Sequence, residues 1–401
     1  MIYSATSAVP TVVEISNANA NERLNDDRSG DMRDSFVHGT PSLTDFGVIS
    51  TICAANVPGW DTVMKDSLVE IEVHAMLEGL SNQLYRVSLP SGIDIRDSPV
   101  EYRTVLFRVY GMHVSSFYEP SLELEVFKTV SHFGIGPRMI SHGPGWRIEE
   151  FYENHSVVNV RSLPDPAVYL QVAKHLGKLH RIHDDPEFPE SLLHRPPVSF
   201  DRLESWRDAA DRVLKSREVA TLSLELLSEI DAMKVALGEG MASGKLGYHV
   251  VFAHNDVQEN NMLRDNMSGT LRLIDFEYAD MNFQGADIGN FFGEFTMDYL
   301  VSDAPFFSGD SSSFPSLNAQ QEFAQAYLFE YLGREPRSTE VVELLDSVND
   351  FRQLSHLLWG LWAIVRSQQK DSPETGSFGF SEYAEFRFTE YFCQSSSLGI
   401  K

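Results

Sequence analysis

The sequence predicts a two-lobed α/β (α+β) fold, with a small strand-rich lobe before residue 154 and a larger helical lobe after it. Three segments rich in β-branched and aromatic residues are typical of strands: LYRVSLP at 84–90, TVLFRVYG at 104–111 and RIEEFYE at 147–153. After residue 154, apolar residues recur mostly at helical spacing. A chain of 401 residues is long enough for two lobes with cores, so we expect a cleft between them.

The N-terminal lobe is predicted to follow a disordered tail. Residues 1–45, which include NANANERLNDDRSGDMRDS, carry too few apolar side chains to offset the entropy of ordering. The lobe then extends over 46–153. Between its second and third predicted strands, PSLELEVFKTVSHFG at 120–134 has helical apolar spacing and ends at a glycine.

The C-terminal lobe, 154–401, is predicted to be helical apart from one hairpin. Helices are expected over 166–183, which opens with a proline, and then over 201–216 and 222–237. Two strand-like runs follow, in VFAHNDVQENNML at 251–263 and LRLIDFEYADMNF at 271–283, and we expect them to form the hairpin. Helical patterns resume with ADIGNFFGEFTMDYL and continue to FSEYAEFRFTEYF.

Composition favours a globular protein without a nucleic-acid partner. Hydrophobic residues make up 42% of the chain and the formal net charge is −26, whereas nucleic acids and anionic membranes attract positive proteins. Cys53 and Cys393 predict two reduced thiols. No secretory signal is predicted at the N-terminus, and LLWGLWAIV at 357–365 is too short to span a bilayer. We therefore expect a cytoplasmic protein without membrane insertion.

Polar residues follow both strand-like runs of the C-terminal lobe. His254, Asp256 and Asn261 reproduce the spacing H-x-D-x₄-N of the protein-kinase catalytic loop, where the aspartate is the base and the asparagine a Mg²⁺ ligand. Asp275, about twenty residues further on, occupies the place of the second Mg²⁺-binding aspartate. Mg²⁺ prefers such carboxylate and amide oxygens, so the pattern predicts phosphoryl transfer from ATP.

These motifs resemble those of the choline/ethanolamine kinases, a branch of the protein-kinase-like superfamily. The resemblance rests on HNDVQEN, IDFEY and WGLW and extends from about residue 76 to 392. It implies a protein-kinase-like fold and ATP- and Mg²⁺-dependent phosphorylation of choline, the first step of phosphatidylcholine synthesis, with ethanolamine as a weaker substrate. The QE pair at 258–259 favours the choline-kinase branch over dedicated ethanolamine kinases.

The resemblance implies a role for each polar residue of the loop. Asp256 matches the catalytic base, and Asn261 and Asp275 match the Mg²⁺ ligands. Gln258 is expected to orient the base or the alcohol, and Glu259 to be structural.

Three neighbouring residues are expected to support this site. His254 is predicted to brace the loop through backbone contacts. Asp287 is predicted to be a helix N-cap that also anchors the loop backbone. Glu277 has two open interpretations, a ligand of a second Mg²⁺ or a solvated or hydrogen-bonded side chain.

The nucleotide side departs from protein kinases at the phosphate loop. The motif G-x-G-x-x-G is absent, and GLSNQLYRV at 79–87 takes its place. Gly79, Ser81 and Asn82 are expected to form a turn whose N–H groups face phosphate. The hinge is predicted near Glu150 and Phe151, whose backbone would bond adenine.

Arg108 stands where protein kinases have a strand lysine, and the family also has arginine there. A buried arginine needs an anionic partner, and both the ATP phosphates and a helix carboxylate would serve. The helical partner is predicted to be Glu123, with Glu125 as the competitor, because residues two apart on a helix cannot both face the cleft.

The acceptor side is predicted to be an aromatic cage, since aromatic faces and carboxylates recognise a quaternary ammonium. Trp359 and Trp362 lie three apart and share a helix face. That pattern alone is more typical of core tryptophans, and the resemblance assigns the helix to the choline pocket. By the same resemblance, Phe295 and Phe380 replace a common Trp and Tyr, and the cage is completed by Tyr278, Glu294, Tyr299 and Tyr383.

Three alternatives are an ethanolamine kinase, another small-molecule kinase such as an aminoglycoside phosphotransferase, and an inactive binding protein on a kinase scaffold. A polycationic acceptor would favour scattered acids over an aromatic cage, and an inactive protein would lack Asp256, Asn261 or Asp275. The sequence leaves open the oligomeric state, a homodimer included, and the role of the tail.

Overall fold

The computed structural model describes residues 42–66, 70–76, 82–93, 100–110, 120–216, 222–367 and 378–395. Residues 1–41, which make up most of the predicted tail, lie outside these ranges. Within them, the chain has a strand-rich first part and a helical second part, which confirms the predicted fold class.

A five-stranded antiparallel sheet is the centre of the first part. Its strands are β1 (Glu72–Ala75), β2 (Asn82–Ser88), β3 (Thr104–Tyr110), β4 (Met139–Gly143) and β5 (Trp146–Glu150), in the order β1-β2-β3-β5-β4. The sequence predicts the three central strands but neither edge strand. Both edge strands are short and partly exposed, so neither has the apolar pattern that marks a buried strand.

The two faces of this sheet differ in chemistry, because alternate residues of a strand point to opposite sides. Phe107 and Ile148 are opposite each other in the register and pack with Trp60 in an apolar core. Two helices absent from the sequence prediction, α1 (Phe46–Asn56) and α2 (Trp60–Asp66), contribute to that core. The other face carries Arg108 and Arg147, which are also opposite each other.

A helix between β3 and β4 joins the sheet to the second part of the molecule. This helix, α3 (Pro120–His132), has Val126, Phe127 and Val130 in one buried cluster with Phe276 of the second part. The sequence predicts this helix at 120–134, and the structure ends it two residues earlier.

The second part consists mainly of helices packed around one long helix. They are α4 (Pro166–Arg181), α5 (Glu190–Leu193), α6 (Val198–Ser216), α7 (Leu224–Ser243), α8 (Gln284–Glu294), α9 (Leu317–Leu332), α10 (Ser338–Arg366) and α11 (Phe380–Ser395). The long helix α10 packs against α6, α8, α9 and α11. Among the described helices, none combines the length and the apolar character needed to cross a bilayer.

The two runs predicted to form one hairpin do pair with each other, but in two separate sheets rather than in a single hairpin. The short strands here are β6 (His155–Val157), β7 (Val250–Ala253), β8 (Met262–Asp265), β9 (Leu271–Leu273), β10 (Asp280–Phe283), β11 (Met297–Asp298) and β12 (Ser308–Gly309). β7 pairs with β10, whereas β9 pairs with β8, which also pairs with β6. The segment that follows β9 nevertheless meets the loop after β7, since the Ile274 N–H donates to the Asn261 carbonyl at 3.0 Å.

Candidate active site

A single buried carboxylate holds the loop between β7 and β8. Asp287 of α8 accepts hydrogen bonds from the backbone N–H groups of His254 (2.7 Å) and Asn255 (2.6 Å) and from Nε2 of His180 (2.9 Å). Burial alone would raise the pKa of Asp287, but the hydrogen bonds and charge of the histidines hold it below its usual value. The predicted anchoring role of Asp287 is confirmed.

The predicted N-cap role of Asp287 is wrong. The helix begins at Gln284, so Asp287 lies one turn inside it, and Phe283 occupies the capping position without a side-chain hydrogen bond. A carboxylate near the start of a helix usually caps it. Here both carboxylate oxygens instead accept hydrogen bonds from the backbone of the neighbouring loop.

His254 and Asn255 also support the loop through backbone groups. Nε2 of His254 lies 3.0 Å from the carbonyl oxygen of Ile274, so this nitrogen carries the proton and donates, and the ring packs on Phe276. The predicted bracing role of His254 is therefore confirmed. Asn255 adopts a positive φ of 65°, which asparagine tolerates better than most residues, and its Nδ2 donates to the carbonyl of Tyr278 at 3.1 Å.

Asp256 and Asn261 are in direct contact. Nδ2 of Asn261 donates to Oδ2 of Asp256 at 2.8 Å and to its carbonyl oxygen at 2.9 Å, and both residues are buried. Oδ1 of Asn261 has no hydrogen-bond partner among the described residues. A buried amide oxygen left in this way is costly, which indicates a ligand site beside Asp256.

Asp275 comes close to this ligand site from the end of β9. Its φ of 62° and ψ of 65° are uncommon for a residue other than glycine and are frequent at functional sites. Burial, and then the charge of Asp275, raise the pKa of the nearby Glu277 to about 8. Glu277 is buried, so its interpretation as a solvated side chain is wrong.

These residues fit a magnesium ion bound together with a nucleotide. Mg²⁺ in such sites takes one or two carboxylates, and phosphate and water oxygens complete the coordination. Asp275 offers a carboxylate, and Asn261 offers the buried amide oxygen described above. In the described part of the chain, no three His, Cys, Asp or Glu side chains are arranged to hold a metal on their own.

A chain of buried ion pairs lies beside Asp275. Nε of Arg108 donates to Oε1 of Glu149 at 3.1 Å, and Nη1 of Arg108 is 3.9 Å from Oδ1 of Asp275. On the adjacent strand, Arg147 binds Glu123 at 2.7 Å and lies 3.5 Å from Oε2 of Glu149. Two arginines and two glutamates thus alternate, which supplies the pairing that buried charges require.

The predicted partner of Arg108 is therefore wrong. Of the two helical candidates, Glu123 is the one that turns inward, but it binds Arg147, and Glu125 hydrogen-bonds a serine at the surface. The direct partner, Glu149, is a strand residue. Helical spacing excludes that both glutamates face inward, whereas the register of β3 against β5 decides which arginine the inward-facing glutamate meets.

The remaining predicted nucleotide residues lie at the ends of strands or outside the described residues. Asn82 begins β2 and is buried, while Gly79 and Ser81 lie outside the described residues. Glu150 is the last residue of β5, and the chain leaves the sheet at Phe151 on its way to the second part. The roles of these residues in nucleotide binding stay predictions.

Aromatic rings from three elements meet at the end of α10. The ring centroids of Trp359 and Trp362 are 5.4 Å apart at an interplanar angle of 80°, and Tyr278 lies 5.9 Å from Trp359. Nε1 of Trp362 donates to the hydroxyl of Tyr278 at 3.2 Å. Phe380 of α11 packs edge-on against Trp362. The structure therefore brings together these four rings.

A carboxylate with two tyrosines extends this aromatic group. The hydroxyl of Tyr299 donates to Oε2 of Glu294 at 2.9 Å and lies 3.3 Å from the hydroxyl of Tyr383. Nη2 of Arg387, which the sequence reasoning missed, donates to Oε1 of Glu294 at 2.7 Å. Phe295, in contrast, packs in the separate core that contains Phe291 and Phe292. We call the six predicted substrate residues the cage: Tyr278, Glu294, Tyr299, Trp359, Trp362 and Tyr383.

Asn290 is a second residue that the sequence reasoning missed. Its Nδ2 donates to the carbonyl of Val257 in the catalytic loop at 3.3 Å, and its Oδ1 accepts from Nε1 of Trp359 at 2.7 Å. It lies three residues after Asp287, on the same face of α8. That spacing is the feature of the sequence that could have identified Asn290 as a residue facing the loop.

The QE pair, Gln258 and Glu259, is buried within the loop. Oε1 of Gln258 accepts from Nδ2 of Asn260 at 3.3 Å. Burial, and then the charge of Glu294, raise the pKa of Glu259 to about 8. An opposite charge nearby would favour its ionised form.

Comparisons with known proteins agree with this geometry. A family model described as choline/ethanolamine kinase matches residues 73–392. Choline kinase alpha of Mus musculus is 30% identical over 386 residues, which cover 87% of this chain and 80% of the relative. The choline/ethanolamine kinase of Mus musculus is 29% identical, with 82% of each chain covered. A solved choline kinase from Cryptosporidium parvum has a TM-score of 0.76 and 32% identity, and it covers 88% of this chain and 96% of its own.

Proposed function

We propose that this chain, which belongs to the choline/ethanolamine kinase family, transfers the γ-phosphate of ATP to the hydroxyl of choline and accepts ethanolamine more weakly. Relatives named for both substrates match most of its length. By family likeness, the phosphocholine formed would enter phosphatidylcholine synthesis.

The observation that carries this proposal is the link between the loop and the cage through Asn290. One amide group binds the carbonyl of Val257, the residue after Asp256, and the indole of Trp359. A second link runs from Asn255 to the carbonyl of Tyr278. The base is therefore held at a fixed place relative to the aromatic rings, as a reaction on a small cationic alcohol requires.

Asp256 is the proposed base. In this role it orients the hydroxyl of the alcohol and accepts its proton as the phosphoryl group is transferred. The hydrogen bond from Nδ2 of Asn261 fixes the rotamer of the carboxylate. Gln258, two residues after Asp256 in the same loop, would help to orient the alcohol.

Asn261 and Asp275 would hold Mg²⁺, with Glu277 as a further candidate ligand. The ion would neutralise charge on the phosphates. Arg108 would add positive charge beside them, since it already lies 3.9 Å from Asp275. Glu123 would act on Arg108 only indirectly, through Arg147 and Glu149.

The rest of the nucleotide site is proposed from position. Gly79, Ser81 and Asn82 would contact phosphate through backbone N–H groups. The backbone at Glu150 and Phe151 would bond adenine, because the strand that ends there connects the two parts of the molecule.

The cage favours choline over a polycationic acceptor. The trimethylammonium group of choline has no N–H to donate, so aromatic faces and a nearby carboxylate suit it. Trp359, Trp362 and Tyr278 supply such faces, and Phe380 adds another.

A direct assay tests the proposal. Purified protein is given ATP and Mg²⁺ with choline, ethanolamine or kanamycin in separate reactions, and ADP release is followed. We expect turnover with choline, less with ethanolamine and none with kanamycin. The absence of turnover with both amino alcohols would refute the proposal.

Asp256→Asn tests the assigned base. We expect kcat to fall by about 10²- to 10⁴-fold, because a general base is lost, while the circular dichroism spectrum stays unchanged. Asp165→Asn is the matched control, since Asp165 caps α4 far along the chain and asparagine caps a helix equally well. Full activity of Asp256→Asn would mean that another group is the base.

A further inference from the structure

Arg147 is a buried arginine beside the proposed phosphate site. It is 3% exposed and lies on β5, directly opposite Arg108 of β3 in the register of the sheet. Directly opposed residues point to the same face of an antiparallel sheet, and like charges in such positions destabilise the pairing. The two arginines therefore require anionic partners on that face.

Helix α3 and the end of β3 fix the guanidinium of Arg147. Its Nη1 donates to Oε1 of Glu123 at 2.7 Å and to the hydroxyl of Tyr110 at 3.2 Å. The ring centroid of Phe127 lies 4.0 Å from the guanidinium carbon, which is a close cation–π contact. Glu123 and Phe127 both belong to α3, so the position of Arg147 follows that of the helix.

Glu149 is shared between the two arginines. It lies two residues after Arg147 on β5, so its side chain points to the same face. Oε1 accepts from Nε of Arg108 at 3.1 Å, whereas Oε2 lies 3.5 Å from Nε of Arg147, an ion-pair distance without a hydrogen bond. Because Arg147 is held by α3, it draws Oε2 to its own side and leaves Oε1 turned toward Arg108. The carboxylate is buried, so water weakens neither attraction.

This carboxylate fixes the direction of the Arg108 side chain. A guanidinium is planar and rigid, so a bond at Nε also determines where its other nitrogens point. Nη1 of Arg108 has no hydrogen-bond partner among the described residues and lies 3.9 Å from Oδ1 of Asp275, a proposed Mg²⁺ ligand. A buried cationic N–H is costly in this state unless an anion completes it, and a phosphate of ATP is such an anion.

We propose that Arg147 is a positioning residue for ATP. Through Glu149 it keeps Nη1 of Arg108 turned toward the phosphates, and through Glu123 it makes that orientation depend on α3. This inference rests on the proposed function, because ATP is the donor of that reaction. A purely structural role, in which Arg147 only ties α3 to the sheet, would change stability without acting through Arg108.

A double-mutant cycle on nucleotide affinity tests this role. Isothermal titration calorimetry measures the Kd of AMP-PNP, an ATP analogue that is not hydrolysed, with Mg²⁺ and without an acceptor. In Arg147→Lys the ammonium keeps the charge but lacks the fork that reaches Glu123 and Glu149 together, and we expect Kd to rise by roughly ten-fold. Arg108→Lys should also weaken binding. In the Arg108→Lys background, Arg147→Lys should add less than about two-fold, because its effect passes through Arg108.

Steady-state kinetics provide a second readout. Arg147→Lys should raise KM for ATP by a similar factor, while KM for choline at saturating ATP stays within about three-fold. Arg212→Lys, the same replacement at an exposed position of α6, is the matched control and should change neither KM nor Kd.

A Kd for Arg147→Lys within about two-fold of the wild type would overturn the inference. Losses that multiply fully in the double variant would overturn it as well, since Arg147 would then act independently of Arg108. A wild-type protein that binds no AMP-PNP would remove both the inference and the assigned donor. Absence of turnover with choline and ethanolamine is a different result: it would refute the proposed function, and the binding cycle does not depend on it.

A second variant keeps the test decisive if Arg147→Lys does not fold. Arg147→Met combined with Glu123→Gln removes the buried charges as a pair, which proteins often tolerate when the replacements have similar volume. Kd for AMP-PNP should again rise by roughly ten-fold, and much less in the Arg108→Lys background. Wild-type affinity in this folded variant would contradict the inference.

Discussion

Replacing Asp287 by asparagine should destabilise the protein far more than the loss of one ordinary hydrogen bond. The carboxylate is fully buried, and three donors converge on it: the N–H groups of His254 and Asn255 and the Nε2 of His180. Oδ2 serves two of these donors and Oδ1 serves one. Asparagine keeps the shape but turns one of the two oxygens into a donor.

The size of the effect follows from this geometry. In its better orientation, the amide oxygen keeps the two donors at Oδ2, and its NH₂ faces the Asn255 N–H. One charge-assisted bond, worth about 1.5–3 kcal/mol, is then lost, and the other two become neutral and weaker. We expect a decrease of about 3–5 kcal/mol in the free energy of unfolding, a large part of the 5–15 kcal/mol typical of a domain.

Urea unfolding of Asp287→Asn and the wild type measures this difference. Asp165→Asn should leave the free energy of unfolding almost unchanged, since asparagine is as good a cap as aspartate. Because the folded-state pKa of Asp287 lies below 3.8, its contribution is fully present above that pH and is lost as the pH falls through the folded pKa. The gap between wild type and variant should therefore narrow as the pH falls below about 4. A difference under 1 kcal/mol at pH 7 would mean that the buried Asp287 carboxylate does not hold the loop in this way.

Two further predictions concern the packing of α8 and the buried ion pairs. Gly289→Ala should destabilise the protein by about 3 kcal/mol, because the new Cβ would lie 2.6 Å from backbone atoms of α10. Gly238→Ala, where nothing lies within 4 Å, should stabilise it by about 0.5–1 kcal/mol, and urea unfolding compares the two. Glu149→Gln should cost about 3–5 kcal/mol and raise KM for ATP, because Arg108 loses its nearest carboxylate. Unchanged stability and unchanged KM in Glu149→Gln would contradict that role.

The polar residues of the loop could be predicted because their chemistry depends on local spacing. Asp256 and Asn261 lie in the same short loop after β7, and the structure brings Nδ2 of Asn261 to 2.8 Å from Oδ2 of Asp256. The aromatic pair Trp359 and Trp362 is likewise set by helical periodicity. Both patterns lie within a few residues, so no knowledge of the fold was needed.

Contacts between elements could not be predicted in this way. Glu149 meets Arg108 through the register of two strands about forty residues apart. The strands β7 and β9 look like the two strands of one hairpin, but β7 pairs with β10 and β9 pairs with β8, and the local sequence of such short strands does not indicate which strand pairs with which. Arg387 reaches Glu294 from the last helix, and nothing near either residue in the chain indicates the other.

One helix, α8, positions the loop and the cage relative to each other. Asp287, Asn290 and Glu294 are spaced by three and four residues, so they share one face of α8. In order along that face they anchor the loop backbone, join the loop to Trp359 and bind Tyr299 of the cage.

A separate set of residues holds α8 against α10. A Cβ on Gly285 would overlap the ring of Phe351, and one on Gly289 would meet the α10 backbone, so only glycine allows this close approach. Because α10 also carries Trp359 and Trp362, any change that separates the two helices moves the indoles away from the loop and from Glu294 together. The distance between the proposed base, Asp256, and the cage therefore depends on the α8–α10 contact, and a substitution at Gly289 should weaken choline binding as well as stability.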